Sequence, residues 1–116
     1  MDVEQALEAL SALSHETRLW AFRLLVQAGP DGLAAGEIAD ALGSRQNTMS
    51  SHLKILAAAE LIESERDGRS ILFKASYDTV RELVLFLMED CCAGNSAVCR
   101  PVAESLGIKS QAGKAY

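Results

Sequence analysis

The sequence predicts a mainly α-helical domain that carries one small β-hairpin. Apolar residues recur at helical spacing in several segments of the chain. One of these helices, near the middle of the chain, has a polar outer face. It runs directly into two strand-like segments joined by Asp67-Gly68, which is a strong signal for a two-residue hairpin. A chain of 116 residues has room for one such domain with a real core, and also for a dimer interface.

The composition is that of a soluble globular protein. The chain contains no apolar run of the roughly 18 residues that a membrane span needs, and its first ten residues, MDVEQALEAL, are acidic where a signal peptide would be basic. We therefore expect a cytoplasmic protein without a membrane partner. The net charge is -5, but residues 44–75 hold five basic and four acidic side chains, so the acidic excess lies elsewhere. Binding to a negatively charged partner would then depend on well-placed contacts and weaken steeply with salt.

The first two helices are predicted from apolar spacing and from one capping residue. Val3, Leu7, Leu10 and Leu13 form the apolar stripe of the first helix, and a helix at a chain terminus often serves a dimer. Ser14 is a favourable N-cap for the second helix. The apolar residues of the second helix predict that it is nearly all core: Leu19, Trp20, Phe22, Leu24, Leu25 and Val26.

The middle of the chain predicts a helix-turn-helix followed by a β-wing. A third helix over residues 35–42 is expected to end at Gly43, the usual position for a C-terminal glycine. After a short turn, a fourth helix is expected over residues 46–59. This order of elements is the helix-turn-helix arrangement, in which the second helix enters the major groove. Strands over residues 62–66 and 70–75 would place a wing beside that helix.

The fourth helix has two different faces. Met49, Leu53 and Leu56 form one apolar stripe, whereas the other face is small, hydrogen-bonding and mostly uncharged, so it can approach base edges and phosphates. Basic side chains, including Lys74, flank the hairpin turn and suit phosphate contact. The candidate DNA-binding residues are Arg45, Gln46, Asn47, Thr48, Ser50, Ser51, His52, Lys54, Arg66 and Arg69. An amphipathic helix and a solvated hairpin in another small α+β domain remain the competing interpretation.

A fifth helix, starting at Ser76 or Asp78, has more apolar surface than its own chain can cover. The residues of this surface are Val80, Leu83, Val84, Leu85, Phe86, Leu87 and Met88. We expect a partner subunit to cover it together with the first helix, which gives a homodimer. Residues 1–92 are thus predicted to form the DNA-binding and dimerisation domain. Residues 93–116 lack periodicity and are predicted to form a mobile tail that carries Cys99.

Three sequence segments carry a family resemblance. They read SHETRLWAFRLL from Ser14, LAAGEIADALG from Leu33 and QNTMSSHLKILAAAELI from Gln46. Together with the Asp67-Gly68 wing, they resemble the ArsR (ArsR/SmtB) family of metal-sensing bacterial repressors. The resemblance implies a dimeric winged helix-turn-helix that represses its operon until an inducer binds. This chain has Glu60 where family members usually carry glycine, and a positive φ at a non-glycine residue is costly.

The inducer is predicted from the cysteines. The third helix has no thiol and residues 76–92 have no histidine, so two sensor sites usual in the family are missing. Cys91, Cys92 and Cys99, the only cysteines of the chain, resemble the set of arsenic-responsive members whose binding cysteines lie near the C-terminus. Three soft thiolates fit trivalent arsenic or antimony, whereas tetrahedral zinc would need a fourth ligand. Arsenite is therefore the expected inducer, with antimonite as a second candidate and with no organic cofactor.

Other interpretations of these thiols stay open. The three cysteines could be incidental, or Cys99 could form a disulfide with one of the pair in a redox-responsive repressor. The negative charges of Glu89 and Asp90 disfavour thiolate formation and therefore the redox interpretation. An enzyme is not indicated, because paired carboxylates, a phosphate loop and a histidine cluster are all missing; arsenate reduction would be the nearest activity. A metalloid carrier without DNA affinity is disfavoured by the outer face of the fourth helix.

Overall fold

The computed structural model describes residues 1–89. In this part of the chain, five helices surround a small antiparallel sheet with strand order β1-β3-β2. The helices are α1 (Val3–Leu13), α2 (Glu16–Ala28), α3 (Ala35–Leu42), α4 (Gln46–Ala58) and α5 (Tyr77–Met88), and the strands are β1 (Leu33–Ala34), β2 (Ile62–Asp67) and β3 (Ser70–Ala75). The mainly α-helical winged fold predicted from the sequence is therefore confirmed.

The core lies where α2, α3 and α4 meet the sheet. Its largest fully buried side chains are Leu25, Ile38, Met49, Leu53, Leu56 and Leu61. Three of them, Met49, Leu53 and Leu56, are the predicted stripe of α4, and all three are fully buried. Burying a side chain of this size stabilises the fold by about 1.5–3 kcal/mol. The stripe therefore fixes which face of α4 points away from the protein.

The first helix buries its alanines and exposes its leucines. Ala6, Ala9 and Ala12 pack inside the protomer, whereas Val3 and Leu7 are 59% and 60% exposed. Small side chains let α1 lie close against its own subunit, and the larger side chains are left on the outer surface. This second apolar face has no cover within the described part of the protomer.

The second helix is less buried than its composition predicts, and this prediction was wrong. Phe22 and Leu25 are buried, but Leu19, Trp20 and Val26 are each exposed by 40% or more. Only one face of α2 packs on the other helices and the sheet, and a nearly continuous apolar run does not reveal which face that is. The helix also begins one residue later than predicted, because His15, and not Ser14, is the N-cap.

The wing forms as predicted, but its turn is shifted by one residue. Asp67 pairs with Ser70, so the two loop residues are Gly68 and Arg69 and not Asp67 and Gly68. Gly68 has a φ of +62°, whereas Arg69 is not among the residues with positive φ. A positive φ at the first loop position alone is the pattern of a type II′ turn, which favours glycine there. The sequence analysis also missed β1, a strand of only two residues that pairs with Phe73 and Leu72 of β3.

Glu60 adopts the left-handed conformation that glycine usually provides at the end of a helix. Its φ is +63°, the only positive φ of a non-glycine residue in the described chain. The N–H of Glu60 donates to the carbonyl of Ala57, and the N–H of Leu61 donates to the carbonyl of Leu56. This pair of bonds is the Schellman motif, and the apolar contact that accompanies it joins Leu61 to Leu56. The turn between α4 and β2 thus keeps its geometry although residue 60 is glutamate and not glycine.

The last described helix starts as predicted and has little cover. Ser76 is its N-cap and accepts the backbone N–H of Thr79. Leu83 is the one buried residue of α5, whereas Leu87 is 50% exposed. Both α1 and α5 therefore have an exposed apolar face, and these are the two helices predicted to form the dimer interface. None of the described helices is long and apolar enough to cross a membrane.

Candidate nucleic-acid interface

The outer face of α4 is polar and open. Asn47, Thr48, Ser51 and Lys54 are exposed, and Ser50 is half-buried. The Oδ1 atom of Asn47 accepts the backbone N–H of Thr48, and the Ser51 hydroxyl donates to the Asn47 carbonyl at 3.3 Å. These local bonds hold the short side chains close to the helix. Most side chains on this face are short and polar, so base edges and phosphates can approach it.

The start of α4 differs from the start of every other described helix. Arg45 is the N-cap and makes no capping hydrogen bond through its side chain, and the first turn contains no acidic residue. Glu4, Glu16, Glu37 and Asp78 occupy the first turns of the other four helices. A helix N-terminus presents free N–H groups and a partial positive charge, and both favour an anion. The start of α4 therefore suits a phosphate of a DNA backbone better than the others do.

Two of the predicted DNA-binding side chains lie close to other helices of the protein. The Gln46 side chain lies against α3, because a Cβ added at Gly36 would be 3.5 Å from its Oε1 atom. The His52 ring is half-buried and lies 4.6 Å, centroid to centroid, from the ring of His15. Contact of either residue with DNA stays a prediction.

The wing carries charges of both signs. Arg66 and Arg69 are exposed near the turn, as predicted. Lys74 forms an ion pair with Glu65, and the same contact lowers the pKa of Glu65 and raises that of Lys74. Asp67 also lies at the tip of the wing. Arg66 and Arg69 are therefore the basic side chains of the wing that remain for phosphate contact, since Lys74 is paired with Glu65.

The sequence analysis missed a connection behind α4. The Nε atom of Arg18 donates to the carbonyl of Ala12 at 2.7 Å, and its Nη1 atom lies 3.5 Å from Nδ1 of His52. Arg18 thus joins the end of α1 to the middle of α4. Its partners are 6 and 34 residues away along the chain, and no periodic pattern relates positions at such separations.

Comparisons with known proteins show the family. A model described as a helix-turn-helix domain matches residues 13–65. The HTH-type transcriptional regulator YgaV of Escherichia coli K12 is 33% identical over 89 residues, which cover 77% of this chain and 88% of that protein. The HTH-type transcriptional repressor SmtB of Mycobacterium tuberculosis is 32% identical over 83 residues, or 72% of this chain and 59% of that protein. The chain belongs to the ArsR/SmtB family.

A solved structure agrees with this assignment. The homodimeric winged helix-turn-helix DNA-binding domain of Mb0332 from Mycobacterium bovis, a possible ArsR-family regulator, is 26% identical. It superposes with a TM-score of 0.62 over 89% of this chain and 82% of its own. As an ArsR/SmtB protein, the chain is a transcriptional regulator with a DNA-binding helix-turn-helix, and its relatives are named as regulators and not as enzymes. In this family context, the open polar face of α4 is the candidate DNA-binding surface.

The candidate inducer site of this ArsR/SmtB protein lies outside the described residues. Cys91, Cys92 and Cys99 all follow residue 89, as does the tail over residues 93–116. The described part of the chain contains no group of three or more histidine, cysteine, aspartate or glutamate side chains that could hold a metal ion. The assignment of the inducer to the three thiols, and the division of the chain at residue 92, therefore stay predictions.

Proposed function

We propose that the chain is a homodimeric repressor that leaves its operator when trivalent arsenic binds Cys91, Cys92 and Cys99. The observation that carries this proposal is the placement of the cysteines. All three lie within nine residues of each other, and the first follows Met88, the last residue of α5, by three positions. A thiol cluster at this point can act on α5 directly, because the same backbone continues from one to the other.

The donor chemistry favours a metalloid. Three thiolates satisfy the pyramidal coordination of arsenite or antimonite, whose lone pair occupies the remaining direction. A structural zinc ion would require a fourth ligand. The two histidines of the chain have other contacts, since His15 caps α2 and the ring of His52 packs against the ring of His15. These residues support a soft three-coordinate ion as the inducer.

The exposed faces of α1 and α5 support a dimer formed through these two helices. Val3, Leu7 and Leu87 are each at least half exposed, which is costly for a protomer that remains alone in water. The related M. bovis domain is homodimeric. A two-fold dimer would present two copies of α4 to half-sites about one helical turn apart. An operator for this protein would therefore be two-fold symmetric.

A link between the thiols and DNA follows from the position of α5. If α5 forms part of the dimer interface, an ion that draws Cys99 toward Cys91 and Cys92 changes the end of an interface helix. The angle between subunits, and so the spacing of the two α4 helices, depends on that interface. A coupling free energy of roughly 1–3 kcal/mol would lower operator affinity by about 5- to 150-fold.

Release of DNA by arsenite tests the proposal. A duplex would be selected from a random pool by the full-length reduced protein, labelled, and followed by fluorescence anisotropy in a phosphine reductant. We expect arsenite to release the duplex from the wild type, and Cys99→Ser to require at least tenfold more arsenite. Ser96→Ala, which alters the same segment without removing a thiol, is the matched control and should respond as the wild type does.

Two results would contradict the metalloid assignment. One is a Cys99→Ser protein that releases DNA at the wild-type arsenite concentration. The other is release by peroxide, reversed by reductant, from a protein on which arsenite has no effect. The second result would establish a thiol oxidation switch in place of a metalloid sensor, because a disulfide needs an oxidant and no ion.

A further inference from the structure

Arg18 makes two contacts, one of which requires a neutral His52. A guanidinium group can only donate hydrogen bonds, so the Nδ1 atom of His52, 3.5 Å from Nη1 of Arg18, must act as the acceptor. A proton on Nδ1 would remove this bond and would place two positive groups side by side. The other contact, from Nε of Arg18 to the Ala12 carbonyl, fixes the guanidinium against the end of α1.

His15 contacts His52 from the start of α2. Its Nδ1 atom accepts the backbone N–H of Thr17 at 3.2 Å and thereby caps α2. Its ring is tilted by 45° against the ring of His52, with the centroids 4.6 Å apart. Two histidines and one arginine thus form a cluster between α1, α2 and α4.

We infer that His15 and Arg18 are positioning residues for DNA recognition, which act by holding neutral His52, and with it the middle of α4, against the end of α1. His52 lies one residue from Ser51 and two from Lys54, both on the outer face of α4. A shift of His52 therefore displaces the surface that meets DNA. The inference rests on the family's DNA binding and not on arsenite.

The electrostatics of the cluster predict the direction in which DNA affinity changes with pH. Partial burial lowers the pKa of His52, and His15 and then Arg18 lower it further. These two groups, both from the start of α2, are the charged and titratable neighbours that act on the ring. His52 is therefore neutral at neutral pH and takes up a proton only as the pH falls below its usual value of 6.5. Specific DNA affinity should fall over the same interval.

The first arm of the test separates geometry from charge. Lysine keeps the positive charge of Arg18 but cannot hold two acceptors in the fixed fork of a guanidinium. We expect Arg18→Lys to weaken binding of the full-length protein to its selected duplex by about tenfold at pH 8, since hydrogen bonds from charged groups are worth roughly that factor. The slope of affinity against salt should not change, because no phosphate contact is lost. Arg23→Lys, an exposed arginine on the same helix, is the control and should bind as the wild type does.

The second arm uses the pH profile and does not depend on the first. Asparagine is a good N-cap but does not titrate near neutral pH, so His15→Asn preserves the start of α2 and removes one charge that lowers the pKa of His52. We expect the midpoint of the affinity profile between pH 8 and 5.5 to move to higher pH. Glu16→Gln, one residue away, should leave the midpoint in place.

Three outcomes would overturn the inference. Arg18→Lys could bind within twofold of the wild type while remaining folded. His15→Asn could leave the midpoint unchanged, which is what a purely structural cap would do. Wild-type affinity could rise on acidification, which would mean that a protonated His52 binds phosphate and is not held neutral for positioning.

Discussion

Single residues decide the local geometry at both ends of the recognition helix. At its start, the N-cap Arg45 makes no capping bond through its side chain, and the first turn contains no acidic residue. The helix N-terminus therefore stays open to an anion. At its end, Glu60 takes a left-handed conformation that most side chains avoid. The first feature suits a phosphate, and the second costs stability, since no bond of the Glu60 side chain is found in the described chain.

Replacing Glu60 by glycine should stabilise the fold. Glycine removes the strain of a φ of +63°, which is worth roughly 1–2 kcal/mol. Part of this gain is lost because glycine gives the unfolded chain greater conformational freedom. We expect a net increase of about 1 kcal/mol in the free energy of unfolding, measured by urea denaturation. Glu60→Ala removes the same carboxylate but keeps the strain, so it should not stabilise. Equal gains for the two variants would show that charge, and not backbone conformation, sets the cost.

The pH dependence of stability should show the contribution of His52 protonation. Because its folded pKa is lowered, the unfolded chain binds the proton more readily, so stability is greatest above pH 6.5 and falls as the pH drops through the folded pKa. Melting curves from pH 8 to pH 5 should show this loss. His52→Gln, which can still accept a bond from Arg18, should flatten the profile between pH 7 and 5.5. An unchanged profile in this variant would assign the loss to other groups.

At the scale of elements, the sequence predicted what depends on local rules. The bounds of α3 are the predicted ones because Gly43 ends the helix, and α5 starts after its N-cap Ser76. The exposed side of α2 could not be predicted, since a mostly apolar helix gives no contrast between its faces. The strand β1 was missed because two residues carry no periodicity and pair with a strand about 40 positions away. The hairpin shifted by one residue because Gly68 suits either loop position.

In the candidate site, too, the sequence predicted the features of one helix but not the contacts between helices. The outer face of α4 could be predicted because Met49, Leu53 and Leu56 repeat at helical spacing and define the opposite face. The cluster of His15, Arg18 and His52 could not, because it depends on how α2 crosses α4. Sequence patterns describe one element at a time, whereas contacts between elements need the fold.

Lys54 on the outer face of α4 should contribute to DNA affinity through phosphate contact. We expect Lys54→Ala to weaken binding to selected and random duplexes by similar factors, and to reduce the slope of log affinity against log salt by about 1 per contacted phosphate. Lys74→Ala is the matched control, since Lys74 is already paired with Glu65 and should change the slope less. A selective loss for the selected duplex alone would instead make Lys54 a base-reading residue.

At the scale of the whole molecule, the protomer has two kinds of surface that point to different partners. The polar face of α4 and the arginines of the wing suit a polyanion, whereas the apolar faces of α1 and α5 suit a second copy of the chain. The acidic excess of the chain lies outside residues 44–75, so long-range repulsion from DNA must be overcome by contacts within this region. Dimerisation doubles those contacts on one duplex.

A charge on the exposed face of α1 should separate the subunits. Leu7 is 60% exposed in the protomer, so Leu7→Glu should fold but should be monomeric by analytical ultracentrifugation at micromolar concentration. DNA affinity should fall when the dimer is lost, because each monomer then binds only one half-site. Ile71→Glu, at an exposed apolar position on β3, is the control and should remain dimeric. A dimeric Leu7→Glu protein would place the interface elsewhere.

Hydroxyl-radical footprinting of the inducer-free protein on its selected duplex tests the central claim most directly. If a two-fold dimer inserts both copies of α4 into one face of the DNA, two protected blocks should appear about 10 base pairs apart, related by symmetry, at two protomers per duplex. A single protected block at one protomer per duplex would contradict the account.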